Sequence, residues 1–391
     1  MKDYRRDNND KVKNGICVKE LMLEKKTRLK KISISGYRSI SYDFPLIVEL
    51  EDITIFLGAN GSGKSNVISF FKMLANMMSG SFQLFVEKTG TSHVFLHYGA
   101  KNSDCIKGEL CFEDNTHINR YCFQLSYATP DRLIIASEEV ICGDKDIGNQ
   151  TIHLSSDFKE SAMRNTHENE TVRKIHNILS HCKVYQFHDS SSQSPIRQSS
   201  QVGTANYLQS EGNNLASFLY YLQNNYRSSY NRIVSYINLT IPQFKDFYLK
   251  PNERGYVSLK WVDIFPNDYV LFPEQFSDGT IRFIALATLL LQPQDTMPTV
   301  IIIDEPELGL HPFAIGQLAE MIKETSKHTQ VIVATQSPGL VDEFEANQIT
   351  VIEAENGYSI ARKLDKEELK DWMVNYSLSE LWEKNVLGGR P

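Results

Sequence analysis

Residues 58–65 read Gly-Ala-Asn-Gly-Ser-Gly-Lys-Ser, a complete G-x-x-x-x-G-K-[ST] phosphate-binding loop. The apolar run Ile53-Thr54-Ile55-Phe56-Leu57 precedes it, and Asn66-Val67-Ile68 opens a helical pattern behind it. Strand, loop and helix in that order aim successive backbone amides at an anion held on a helix N-terminus. Glycines at 58, 61 and 63 permit backbone angles that a Cβ would obstruct. The whole segment, Gly58, Ala59, Asn60, Gly61, Ser62, Gly63, Lys64, Ser65 and the adjoining Asn66, is therefore expected to cradle a nucleoside triphosphate. Lys64 would reach the β- and γ-phosphates, and the Ser65 hydroxyl would ligate Mg²⁺.

A second block lies 240 positions beyond Lys64. Thr299-Val300-Ile301-Ile302-Ile303 reads as a buried parallel strand, and it ends in Asp304-Glu305-Pro306-Glu307. Two carboxylates thus fall at the C-terminal edge of a strand, where open α/β sheets bind ligands. Asp304 suits the Mg²⁺ shell as a Walker B aspartate does, and Glu305 is the natural group to polarise an attacking water.

Between these blocks, Phe276-Ser277-Asp278-Gly279-Thr280 precedes the apolar helical run Ile281 to Leu291. It resembles a degenerate ABC signature, usually LSGGQ, with Ser277 and Gly279 matching and Asp278 and Thr280 departing. The order of all three blocks resembles the stand-alone predicted ATPases of the RecF/SMC/OLD-like branch of the ABC class. Leu29 to Ile40, Pro273 to Thr280, Asp304 to Pro312 and Ser379 to Pro391 carry that likeness, which spans residues 28–391 and is weakest in the middle third. The resemblance implies an α/β ABC-type head with a mixed central sheet flanked by helices and a β-rich and helical insert. It also implies ATP and Mg²⁺ as cofactors, hydrolysis of ATP to ADP and phosphate, and a dimer in which Ser277 and Gly279 meet the partner's nucleotide.

Two departures from the family pattern bear on activity. Relatives often carry Thr-His-Ser-Pro after the strand that follows Walker B, whereas this chain has Thr335-Gln336-Ser337-Pro338. Gln336 can sense a γ-phosphate through its amide but cannot carry a proton as imidazole does, which implies slow or partner-dependent hydrolysis. A Q-loop has no firm position. Gln186 in Val184-Tyr185-Gln186-Phe187-His188 is the best candidate, and an ordinary strand glutamine is the equal alternative.

Composition fits one soluble globular head. With 41% hydrophobic and 23% charged residues, 391 positions can bury a large core, and the apolar runs are too short or interrupted to cross a bilayer. Six cysteines without a CxxC pair or zinc spacing read as reduced thiols of a cytoplasmic protein. A net charge of −7 argues against a uniformly basic nucleic-acid binder. Residues 1–27 read as a basic, flexible leader. The nucleotide lobe is expected from 28–100 and 265–391, with an insert at 101–264. Within that insert, residues 107–155 alternate as antiparallel strands, with turns at Thr129-Pro130-Asp131 and Gly143-Asp144. Residues 156–182 look helical, Ser190 to Ser200 reads as a loop, and 212–240 reads as a helical pair. Absence of sustained heptads excludes the long coiled-coil arms of SMC proteins.

The family resemblance suggests a switch in repair or anti-phage defence. OLD-type relatives carry a fused TOPRIM nuclease, and none fits before Pro391, so the expected effector is a separately encoded TOPRIM-like nuclease. The rival readings are a RecF-like repair clamp that binds DNA directly, a transporter's nucleotide-binding subunit and a P-loop kinase. The insert and the poor signature match disfavour the transporter, and the Ser277–Thr280 and Asp304–Glu305 pairing disfavours the kinase.

Overall fold

The computed structural model describes residues 27–389 apart from 145–147, 156, 166–168, 190, 204–205 and 266–267. The leader expected at 1–27 lies outside these residues except for Thr27. The chain opens with β1 (Arg28–Ser35), β2 (Leu46–Glu49) and β3 (Ile53–Leu57), and β3 runs through the phosphate loop into α1 (Lys64–Ser79). Helix α2 (Phe82–Thr89) precedes four antiparallel strands, β4 (Cys105–Glu113), β5 (His117–Ala128), β6 (Arg132–Asp144) and β7 (Gly148–His153). Helix α3 (Glu170–Ser180) leads into β8 (Cys182–Tyr185). The short strand β9 (Ser200–Gln201), helices α4 (Leu215–Asn225) and α5 (Arg227–Thr240), and strands β10 (Phe244–Phe247), β11 (Tyr256–Val257), β12 (Trp261–Asp263) and β13 (Val270–Leu271) follow. Helix α6 (Asp278–Leu290), β14 (Val300–Asp304), α7 (Pro312–Ser326), β15 (Gln330–Thr335), α8 (Pro338–Val341), β16 (Ile349–Glu355) and β17 (Tyr358–Lys363) complete the core.

Two six-stranded sheets organise these elements. The central one has the order β17-β16-β3-β15-β14-β8 and is parallel except for its β16–β17 edge. The other is antiparallel, β2-β1-β4-β5-β6-β7. Strand alternation explains the continuous apolar runs of the central sheet. Ile55, Leu57, Ile301, Ile303, Val331 and Val333 face one hydrophobic core, shared with α4, α5, α6 and α7. Phe56, Val300, Ile302, Ile332 and Ala334 face a second core, in which α1 lies between the two sheets. There the Phe70 ring stacks on Phe123 of β5 at a centroid distance of 6.0 Å. Helix α1 is thus held on two sides, so the loop at its N-terminus has a rigid base.

The alternating strands and the 212–240 helical pair form as the patterns predict. Three local readings differ. Gly143-Asp144 is no turn: both residues continue β6, because a Cβ at 143 would collide with the Ile118 carbonyl of the neighbouring strand. Among the described residues, the α-helix expected over 156–182 spans Glu170–Ser180, where the Asn169 side chain accepts from the Val172 amide and fixes the start. Finally, β8 lies within the stretch assigned to the insert yet pairs in parallel with β14, Tyr185 opposite Ile303. The stretch assigned to the insert therefore supplies one strand of the central sheet. Its place beside β14 brings the residue after Tyr185 level with Asp304.

Candidate nucleotide site

Sheet register assembles the site. Leu57 pairs with Thr335, and Asp304 pairs with Ala334, so three neighbouring parallel strands finish level with one another. Their next residues are Gly58, Glu305 and Gln336. The fourth strand brings Gln186 beside Asp304. This is the sheet edge at which the loop segments of open α/β folds meet a ligand.

The phosphate loop is shaped by its glycines and held from behind. Gly61 and Gly63 have φ of 80° and 111°, in the left-handed region open to glycine. A Cβ at 63 would collide with the Ser359 hydroxyl, and one at 58 with the Ile352 carbonyl; Gly61 faces open space. Ser359 Oγ donates to the Ser62 carbonyl at 2.7 Å and lies 2.7 Å from Ser39 Oγ, to which the Asn66 amide donates at 2.6 Å. The Ala59 N–H is taken by the Gly389 carbonyl at 3.0 Å. The Ser62 hydroxyl is buried and has no partner among the described residues. Ser65 and Asn60 are exposed. Lys64 curls back, its ammonium donating to the Gly58 and Ala59 carbonyls at 2.6 and 2.9 Å. Burial pulls its pKa below the ordinary lysine range, while the charges of Glu305, Asp304 and Glu307 oppose that shift.

At the acidic edge, Asp304 is 6% exposed and its Oδ2 accepts from the Gln186 amide at 2.7 Å. The His188 ring donates through Nε2 to the Asp304 carbonyl at 2.9 Å. Glu305 has a φ of 42°, a left-handed conformation costing a non-glycine residue about 1–3 kcal/mol, and its N–H donates to Ala334. Glu307 is buried, accepts from the Thr335 hydroxyl at 2.5 Å and leaves its second oxygen unpartnered among the described residues. Burial raises its carboxyl pKa. A glycine-lined cradle, an orphaned serine hydroxyl and a lysine facing carboxylates fit a polyphosphate. The hard oxygens of Ser65, Asp304 and Gln186 are the donor types that hold Mg²⁺.

Ser277 and Gly279 lie elsewhere on the surface of the same chain. Ser277 caps α6, accepting from the Thr280 amide at 3.2 Å, and is exposed with Asp278. A Cβ on Gly279 would collide with the Gly309 carbonyl, so this glycine also serves packing against the turn after Asp304-Glu305. The signature turn is secured from behind. Phe276 stacks on Trp261 at 4.5 Å, and the nearly buried Arg197 donates to the Pro273 and Phe276 carbonyls and to Asp278. Arg282 donates to the Phe187, His188 and Leu308 carbonyls, tying α6 to both acidic-edge loops.

Sequence reasoning brought together Gly58–Ser65, Asp304, Glu305 and Gln336, and left Gln186 open between two readings; its bond to Asp304 places it at the site. Reading along the chain missed Lys72, whose ammonium donates to Gln186 Oε1 at 2.5 Å. One signal pointed to it: Lys72 is the only charged residue after Lys64 in the apolar helix α1. Ser39, Ser359, Arg197 and Arg282 carried no such signal.

Comparison with known proteins identifies the family and the fold. Residues 53–342 match the AAA_21 family, described as AAA domain, putative AbiEii toxin, Type IV TA system. Over 75 residues the chain is 41% identical to the Old nuclease of Escherichia phage P2, a match covering 19% of this chain and 13% of that protein. Among solved structures, an SMC head bound to the C-terminal winged-helix domain of ScpA aligns with a TM-score of 0.57 at 15% identity, covering 88% of this chain and 99% of that one. An SMC head with an extended coiled coil bound to the C-terminal domain of ScpA from Pyrococcus furiosus aligns with a TM-score of 0.56 at 14% identity, covering 89% and 99%. No helix among the described residues is long and apolar enough to cross a membrane. The SMC-head likeness shows the fold, and the match over residues 53–342 shows that the chain belongs to the AAA_21 family of ABC/AAA-type ATPases.

Proposed function

We propose that this protein binds ATP with Mg²⁺, hydrolyses it slowly, and uses the cycle to open and close a homodimer as a switch. The observation that carries the reading is the level ending of β3, β14 and β15, which sets Lys64, Asp304, Glu305 and Gln336 around one loop. Mg²⁺, held through Ser65 and Asp304, would neutralise phosphate charge. Lys64 exchanges its two loop carbonyls for phosphate oxygens. Glu305 orients a water and takes its proton. Gln336 donates an amide hydrogen bond at the γ-phosphate end, where the Glu307 carboxyl fixes the preceding Thr335.

Ser277, exposed, and the half-buried Gly279, on a turn braced from behind, face a second copy's nucleotide in a head-to-tail dimer. The working location is the cytoplasm. The output is anti-phage defence through a separately encoded TOPRIM-like nuclease; the family's toxin description and the short match to a protein named a nuclease support that role. The test is purification with its genetic neighbours. A stable complex that cuts nucleic acid only with ATP supports the effector reading. Salt-dependent DNA binding by the chain alone, with no protein partner, replaces it with a clamp that acts on DNA directly.

A further inference from the structure

We infer that Lys72 is a built-in rival of Mg²⁺, holding the Gln186 amide oxygen until the metal–nucleotide complex displaces it. The chemistry of the three groups fixes how Gln186 lies. An ammonium can only donate, so the atom 2.5 Å from Lys72 Nζ must be the amide oxygen. An ionised carboxylate can only accept, so the atom 2.7 Å from Asp304 Oδ2 must be the amide nitrogen. The network therefore admits one amide orientation, with the oxygen turned to Lys72 and the NH₂ turned to the metal-holding carboxylate.

That orientation is wrong for a metal. An NH₂ group cannot ligate Mg²⁺ or accept from its water, whereas the amide oxygen is a hard donor of the kind Mg²⁺ selects. Gln186 must turn over, and release Lys72, before its oxygen can face a cation beside Asp304. The setting makes Lys72 specific to this task. It rises from α1 two turns after Lys64 and is the one charged residue between Val67 and Met78. Its ammonium is half-buried and feels the charge of Asp304, so it stands in for part of the cation's charge in the nucleotide-free protein. Burial draws its pKa down, as expected for a cation held among few partners. Lys72 is thus a positioning residue that acts through Gln186 and raises the Mg²⁺ concentration needed to organise the site.

This inference rests on the MgATP reading, and one set of titrations separates the two. ATP binding is followed by calorimetry in a Glu305→Gln background, without turnover, in EDTA and across a Mg²⁺ series. Lys72→Met should lower the half-saturating Mg²⁺ by about three- to tenfold, since a positive charge and a competitor for Gln186 are both lost. Lys72→Arg, which keeps charge and donor, should stay near the parent value. In a Gln186→Ala background the Lys72→Met shift should shrink, because the two residues act as one unit. An unchanged or higher Mg²⁺ requirement in a Lys72→Met protein that still binds ATP overturns the inference. So does a shift that persists undiminished without Gln186, which would reduce Lys72 to a bystander charge. If the parent binds no ATP with or without Mg²⁺, the nucleotide reading itself fails and the inference falls with it.

Discussion

The phosphate-loop edge and the signature turn are built to opposite plans. At the loop edge, partners distant in sequence close around the site: Ser359 on Ser62, Ser39 with Asn66, Gly389 on Ala59 and Gln186 on Asp304. At the signature turn, every brace arrives from behind, through Arg197, Arg282 and the Trp261–Phe276 stack. Its outer face, Ser277 and Asp278, is left to solvent. A site finished within the chain can bind ligand alone. A rigid, exposed turn without an intramolecular ligand has the form of half an interface. On the proposed function, the difference is one between binding, assigned to one copy, and closure, assigned to two.

The largest expected effect falls on chemistry at the finished edge. Glu305→Gln should lower kcat by about 10²–10⁴-fold in an ATPase assay while ATP binding persists, because the amide keeps the shape and loses the base. A mutant turning over at the parent rate would place the base elsewhere. Next, Lys64→Ala should remove tight ATP binding from a folded protein, about 100-fold or more by calorimetry, because the loop amides then lack the charge facing the phosphates. Unchanged affinity would dissolve the distinction between the two regions. Both variants test residues that were legible in the sequence, for a physical reason: the loop's chemistry is written in eight consecutive residues and the acidic edge in four.

The remainder was illegible because its partners are remote. Gln186 meets Asp304 across 118 positions and Ser39 meets Ser359 across 320, so no local pattern records either contact. Strand β8 has only four residues, too few for periodicity to mark it as part of the central sheet. Gly143-Asp144 misled for the converse reason: glycine before aspartate is a turn signal locally, while in the fold the glycine admits the Ile118 carbonyl of the adjacent strand. The signature lay between these cases. Its residues were visible, but the reason Gly279 must lack a side chain, the Gly309 carbonyl against it, was not.

Two smaller effects sharpen the comparison. Arg282→Ala removes three hydrogen bonds to carbonyls and should cost about 2–4 kcal/mol in denaturant unfolding. If the signature turn were a mobile element rather than a braced one, that loss would be near zero. Ser359→Ala, which removes one brace of the phosphate loop, should cost about 1 kcal/mol of stability and weaken ATP binding only severalfold. A loss of ATP binding as complete as in Lys64→Ala would mean that the loop's shape depends on this serine more than on its glycines.

The central claim, that one chain completes the binding edge and two chains complete the site, is tested most directly by light scattering of the Glu305→Gln protein with and without ATP and Mg²⁺. The account predicts that nucleotide doubles the mass, and that adding Ser277→Arg keeps the protein at the nucleotide-free mass while calorimetry still shows ATP bound. The same mass with and without ATP, in a protein shown to bind it, would contradict the composite site.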